Sequence, residues 1–186
     1  MPSGDDIYAY IYNSGLNSKN ISDGTTTTST YQIDSLTNQK YISNQEISTP
    51  SGLKLIINKN ISYEGNKTNP SKKIVTNTIN SKTTTITNNY KDGKITTTTP
   101  MGKVVNLYYD TNTLLSKKIE APSLYPIEFN YNQKGLLTTV TMGDRVTTYT
   151  YNSKDFISSI TNPNEDSIEY EYDIFLVPIV PDGNAY

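Results

Sequence analysis

Chemistry in this chain has to be sought among carboxylates and phenols, because the sequence contains no His and no Cys. That removes thiol nucleophiles, thiolate metal ligands, disulfides and the side chain that most often moves protons near neutral pH. The densest acids are Glu169, Glu171 and Asp173, which alternate with Ile168, Tyr170 and Tyr172 and follow Glu165 and Asp166. Clustered hard oxygens suit calcium, but the spacing of a calcium loop is missing. A glycosidase pair needs one acid with a raised pKa, and nothing nearby suggests it. The alternation reads more simply as a solvated strand face opposite a Tyr-Ile face. No catalytic, metal or cofactor site is assigned.

Tyrosine is the other chemical resource, with 16 Tyr against 3 Phe and no Trp. Its placement is periodic. Phe129-Asn130-Tyr131-Asn132 is followed by Tyr149-Thr150-Tyr151-Asn152 and by Tyr170-Glu171-Tyr172-Asp173, so that Tyr131, Tyr151 and Tyr172 stand 20 and 21 residues apart. An earlier copy, Leu107-Tyr108-Tyr109-Asp110, places Tyr109 22 residues before Tyr131. A fixed period near twenty means one supersecondary unit used repeatedly. Tyr149, Tyr151, Tyr170 and Tyr172 can then serve in two ways. Packed along the inner surface of a coiled sheet, they bury their rings and give their hydroxyls a partner. Left open, they form a ladder suited to stacking on sugar rings, and ring burial separates the two.

The elements that position these residues are strands. Hydrophobic residues make up only 34% of the 186 and mean hydropathy is -0.57, yet the richness in Tyr, Thr, Ile and Val argues for sheet and against disorder. Residues 7–12 alternate as a strand does, and Asn13-Ser14-Gly15 marks a turn. The Thr-rich segment 25–31 is better accommodated in a strand than a helix. Further strands are expected at 40–47, 53–63, 73–80, 83–90 and 94–99, separated by Thr49-Pro50-Ser51-Gly52, Asn69-Pro70-Ser71, Asn80-Ser81-Lys82, Lys91-Asp92-Gly93 and Thr99-Pro100-Met101-Gly102. In both Thr-Pro-x-Gly copies Pro fixes φ and Gly absorbs an unfavourable angle. Segments 138–142 and 145–151 flank Gly143-Asp144, as a type II′ hairpin demands. No window shows helical spacing, so the fold class is all-β, an antiparallel meander of hairpins.

Net charge is -2 with a single Arg, Arg145, which leaves no basic stripe for nucleic acid. Lys72-Lys73 and Lys117-Lys118 read as surface charges. No apolar run approaches the ~20 residues that span a bilayer, and the first residues lack the regions of a signal peptide. Asn20-Ile21-Ser22, Asn60-Ile61-Ser62 and Asn66-Lys67-Thr68 fit a glycosylation pattern that arises by chance in so Asn- and Thr-rich a chain.

Residues 99–183 resemble the YD-repeat, or Rhs, family, whose unit runs roughly aromatic-x-Tyr-Asp-x-x-Gly-Arg-Leu-x-x-Val. The stretches carrying the resemblance are Tyr131-Asn132-Gln133-Lys134-Gly135-Leu136-Leu137-Thr138-Thr139-Val140-Thr141 and Tyr151-Asn152-Ser153-Lys154-Asp155-Phe156-Ile157-Ser158-Ser159-Ile160-Thr161. Thr99-Pro100-Met101-Gly102-Lys103 and Pro181-Asp182-Gly183 are similar in phrase. Asn132 and Asn152 replace the family Asp. The aligned Gly position is Thr113 in one copy and Asp155 in another, which puts Leu114, Leu136 and Phe156 in register, and Leu115, Leu137 and Ile157 likewise.

The resemblance implies a sheet that coils into a shell enclosing cargo or presenting a contact surface, without chemistry of its own. It makes Tyr109, Tyr131, Tyr151, Tyr172, Gly135, Gly143, Pro100 and Gly102 repeat-defining. Residues 1–98 are then a Thr/Asn-rich hairpin region and 99–186 the YD-repeat region of one continuous sheet. The expected role is a non-catalytic module of a bacterial secreted or cell-surface Rhs-type protein, any signal lying in a larger precursor. Expected partners are further copies joined edge to edge or neighbouring repeats. The alternative is a carbohydrate- or surface-binding module that uses the exposed Tyr residues on a glycan.

Overall fold

The computed structural model describes residues 7–12, 15–20, 24–172 and 178–179, with side chains over 24–172. Every regular element among them is a strand. In chain order they are β1 (Ile7–Tyr12), β2 (Gly15–Asn20), β3 (Thr26–Ile33), β4 (Lys40–Ser48), β5 (Lys54–Gly65), β6 (Pro70–Ile79), β7 (Lys82–Asn89) and β8 (Lys94–Thr98). There follow β9 (Val104–Tyr109), β10 (Ser116–Glu120), β11 (Ile127–Tyr131), β12 (Leu137–Met142), β13 (Arg145–Tyr151), β14 (Ile157–Thr161), β15 (Ser167–Glu169), β16 (Glu171–Tyr172) and β17 (Pro178–Ile179). Strands β3 to β15 form one thirteen-stranded antiparallel meander in sequence order, while β1 pairs with β2 and β16 with β17 as separate ribbons. The chain divides into two units, 1–105 and 106–186.

Turn chemistry sets the register. At 49–53, 99–103, 132–136, 152–156 and 162–166 the first residue's N–H bonds the fifth residue's carbonyl at 2.8 to 3.0 Å, and its own carbonyl accepts the fourth residue's N–H. The fourth position is left-handed in each: Gly52, Gly102, Gly135, Asp155 and Glu165 have φ of 86°, 76°, 79°, 66° and 68°. This is a type I turn closed by a left-handed residue. Gly143 has φ 60° and Asp144 no positive φ, between the facing pair Met142 and Arg145, as the expected II′ turn requires.

Two corners carry one residue more. At 34–39 and 110–115 the bond joins the first and sixth residues, at 2.9 and 2.8 Å, and the left-handed residues are Asn38 and Leu114. The expected alignment is corrected here: Leu114, 71% exposed, takes the place of Gly135 and Asp155, and Leu115 becomes the counterpart of Leu136 and Phe156. Thr113 is not at the Gly position, because the insertion shifts it back. A second correction concerns Asn69-Pro70-Ser71. Pro70 opens β6 opposite Gly65, and the connection is 66–69, held by Asn66 Oδ1 accepting the Thr68 N–H and hydroxyl, each at 2.9 Å.

The sheet also carries bulges at Ser43, Ser71, Lys117, Thr138 and Ser158. The bulged hydroxyls bond the strand opposite. Ser43, Ser71 and Thr138 donate to the carbonyls of Thr30, Glu64 and Asn130 at 3.3, 3.2 and 3.1 Å, and Ser158 meets the Thr150 hydroxyl at 2.8 Å. A bulge leaves one residue outside the ladder, and a hydroxyl there restores a local bond.

Register sorts the side chains of each unit onto unlike faces. In the first unit Thr30, Asn44, Asn58, Thr78 and Thr83 stand in one row across five strands, and the opposite face carries Ile61, Val75 and Ile86 in a row. In the second, Asn130, Thr139, Thr148, Thr161 and Ser167 form a row, and the other face carries Phe129 against Val140 and Tyr149 against Ile160 and Ile168. Among the described residues no hydrophobic side chain is fully buried; the buried polar ones are Ser29 and Asp34, at 2% and 5% exposure.

Candidate functional site

Two of the repeat tyrosines, Tyr151 and Tyr172, act as braces. Tyr131 and Tyr151 end β11 and β13 and face Leu137 and Ile157, just past the Thr138 and Ser158 bulges. The Tyr151 hydroxyl donates 2.7 Å to the carbonyl of Leu137, and that of Tyr172 donates 2.9 Å to Ile157. Each thus reaches back to the residue that faces the preceding repeat's tyrosine. Tyr172 does this from β16, outside the main sheet, with its ring centroid 5.3 Å from that of Phe156. Burial pushes the Tyr151 hydroxyl up, and Tyr149 adds to it. Tyr149, Tyr151, Tyr170 and Tyr172 are all half-buried.

Two open grooves follow the same plan, a corner of one repeat beside the aromatic strand of the next. One, of about 490 Å³, lies between Asp110, Leu115 and Lys117 and the strand of Phe129 and Tyr131. The other, of about 370 Å³, lies between Asn152, Lys154 and Phe156 and the strand of Tyr170 and Tyr172. Both mix apolar rings with amide and ammonium groups.

The described acids of the cluster do not converge. Tyr170 interrupts the expected strand, so Glu169 ends β15 while Glu171 begins β16, and Asp173 lies outside the described residues. The Tyr170 N–H still continues the β14 ladder, bonding the Ser158 carbonyl at 3.0 Å, and Glu171 then leaves it to pair with β17. Among the described residues no three acids are grouped to hold a metal ion.

One cluster escaped the sequence reading. Asp34 Oδ1 accepts the N–H groups of Leu36 and Thr37 at 2.9 and 3.1 Å, the Tyr63 hydroxyl lies 2.9 and 2.8 Å from its two oxygens, and Lys73 Nζ stands 3.6 Å away. Burial pushes the Asp34 carboxyl up, but the bonds from Leu36, Tyr63 and Thr37 and the charge of Lys73 outweigh it and hold the group at about 2. Burial and the bond to Asp34 raise Tyr63. Burial depresses the Lys73 ammonium, but Tyr63 and Asp34 more than offset this and raise it. A proton-transfer site needs a group poised near the working pH. Here all three are pushed away from neutrality, which is the signature of a clasp. Lys73 is therefore no ordinary surface charge. Nor are its companions free, since Lys72 pairs Glu64 at 2.8 Å, Lys117 pairs Asp110 at 2.7 Å and Lys118 pairs Glu120 at 2.7 Å.

The corner that seats Asp34 was legible as Asp34-Ser35-Leu36-Thr37, which matches Asp110-Thr111-Asn112-Thr113. In both, the Thr hydroxyl accepts the N–H two residues on at 3.4 Å, in Gln39 and Leu115. No family model matches this chain, and no curated protein is significantly similar to it.

Proposed function

We propose that this chain is a non-catalytic structural module of YD-repeat type, a wall segment of a β-shell or extended surface in a bacterial secreted or cell-surface protein, where it encloses cargo or presents a contact face. The observation that supports this reading most is the repeated corner, bulge and tyrosine brace at Asn132, Thr138 and Tyr151 and again at Asn152, Ser158 and Tyr172. Such a device stacks hairpins without limit and builds no reaction centre. A wall of this kind continues by adding strands, because an outer strand presents unpaired N–H and C=O groups. Strand β15 is the outer strand at one side of the sheet.

Hydrogen exchange at Ser167 and Glu169, whose N–H groups point away from β14, tests this, read with light scattering. Slow exchange of the outward amides in particles larger than one chain is expected. Fast exchange there in a stable single-chain particle counts against a wall segment. A second reading, glycan binding, draws on the Asn152–Tyr172 groove, where Tyr170 offers a ring beside amide and ammonium groups. Tyr170→Ala abolishing retention on a glycan array would favour it.

A further inference from the structure

One repeat lacks the brace that the next two have. In all three, the ladder to the preceding strand ends at matching pairs, Glu128 with Lys118, Thr148 with Thr139 and Glu169 with Ser159. The tyrosine stands three residues further on in each, opposite a bulge at Lys117, Thr138 or Ser158. Tyr151 and Tyr172 cross that gap to the carbonyls of Leu137 and Ile157. By register the acceptor for Tyr131 is Ser116, which faces Tyr109. No such bond forms, and among the described residues the Tyr131 hydroxyl has no hydrogen-bond partner.

Two residue pairs join β10 to β11, Lys118 with Glu128 and Ile119 with Ile127, and beyond them lies the groove of about 490 Å³. Glu128, Phe129, Asn130 and Tyr131 all line it, although alternation sends neighbours to opposite faces, so the opening is between the strands. This is also the one repeat of the three whose corner, 110–115, carries an extra residue.

The charges along the groove cancel. Asp110 and Lys117 stand 2.7 Å apart, and Lys118 lies 2.7 Å from Glu120 and 3.9 Å from Glu128. A charged ligand gains no net attraction from such a wall. Each carboxylate keeps lone pairs and each ammonium keeps donors beyond its ion-pair partner, so donors and acceptors sit side by side. Leu115 and the half-buried Phe129 and Tyr131 supply apolar surface. Small-ligand sites combine apolar lining with a few convergent polar groups in roughly 300 to 1,000 Å³. A hydrocarbon would leave the polar groups here without partners, and a simple ion would leave the rings unused. A hydroxyl-rich ring with an apolar face uses both.

We propose that the gap between β10 and β11 is a binding site for a neutral oligosaccharide. One sugar ring lies on Phe129, and its hydroxyls take the Tyr131 phenol and the Asp110 and Lys117 groups where the brace is missing. The ligand class rests on the glycan reading above, but the groove is a different one.

The missing brace makes the test asymmetric. Tyr131→Phe removes a hydroxyl without a partner, while Tyr151→Phe removes one that ties β13 to β12. Urea unfolding of the full chain should show a lower midpoint for Y151F and an unchanged one for Y131F. The binding probe is an array of neutral and anionic oligosaccharides, followed by titration of the neutral one best retained. Retention of neutral glycans is expected, weakened about tenfold by Y131F, the worth of one hydrogen bond. Retention indifferent to Y131F overturns this site, and where Tyr170→Ala then abolishes it the glycan reading stands at the other groove. No retention at all overturns both. Retention of anionic glycans alone overturns the ligand class. If Y131F lowers the urea midpoint as far as Y151F does, Tyr131 is braced, the gap is closed and the proposal falls.

Discussion

Asp34 and Asp110 each open a six-residue corner, and in each the carboxylate Oδ1 accepts the N–H groups two and three residues on, at 2.9 and 3.1 Å for Asp34 and 3.0 Å twice for Asp110. Each also has a lysine partner, Lys73 at 3.6 Å and Lys117 at 2.7 Å. They part company beyond the corner. Asp34 is 5% exposed and tied to Tyr63 on β5, whereas the Asp110 side chain is 28% exposed and its lysine lies in the adjoining bulge. One local instruction thus serves once to shape a turn and once to fasten a turn to distant strands. The difference lies in what comes over the carboxylate, not in the corner.

The sharpest way to break the comparison is to remove both acids in turn. Asp34→Ala leaves two N–H groups, a buried phenol and an ammonium without their acceptor, and a loss of about 3–5 kcal/mol is expected. Urea unfolding measures it. Asp110→Ala should cost far less, and in about 1 M salt its ion-pair part should vanish while the Asp34 effect persists. Equal losses would mean that the Tyr63 and Lys73 contacts add nothing to the corner.

Acid provides a gentler version. Asp34 has its carboxyl lowered from 3.8 to about 2, so its contribution is fully present above pH ~4 and fades as pH falls through ~2. The bonds from Leu36, Tyr63 and Thr37 cause the depression against the opposing effect of burial. Tyr63→Phe removes one of them, and the acid unfolding transition should then move upward in pH. The neutral-pH loss should be about 1.5–3 kcal/mol, the range for a hydrogen bond to a charged group. Asp110 is also held well below the usual carboxylate range, by Lys117 first and then by the Thr113 and Asn112 N–H groups. Tyr63→Phe has no path to it, so a carboxyl titration of Asp110 followed by NMR should not move.

These contrasts show what the chain discloses before folding. The strands and most corners were legible because turn residues name their own backbone state: Gly143 before Asp144, Pro50 with Gly52, Pro100 with Gly102. The tyrosine period was legible because it repeats at fixed spacing. What escaped depended on partners far along the chain or on a residue acting against type. Tyr63 meets Asp34 across 29 residues, a contact no local pattern reports. Pro70 looked like a turn residue and instead opens a strand, where the first position tolerates its missing N–H. Tyr170 belongs by alternation to one strand, yet β15 stops before it and Glu171 opens a separate ribbon with β17. Leu114 gave no sign of a left-handed backbone, because leucine disfavours it.

That last case gives the smallest and cleanest difference between the two corners. Leu114 and Asn38 hold the same position with φ of 60° and 57°. A side chain with a branched carbon chain is strained there by about 1–2 kcal/mol, while Asn tolerates the conformation through its short polar group. Leu114 is 71% exposed, so truncating it removes little packing. Glycine relieves the strain at both sites but adds freedom to the unfolded chain, which costs about 0.5–1 kcal/mol. Leu114→Gly should therefore stabilise by about 0.5–1 kcal/mol, and Asn38→Gly should change stability by no more than a few tenths. Urea midpoints at unchanged slope would show the gap. If the two substitutions act alike, the extra residue at 110–115 is accommodated without strain, and the equivalence of Leu114 with Gly135 loses its energetic meaning.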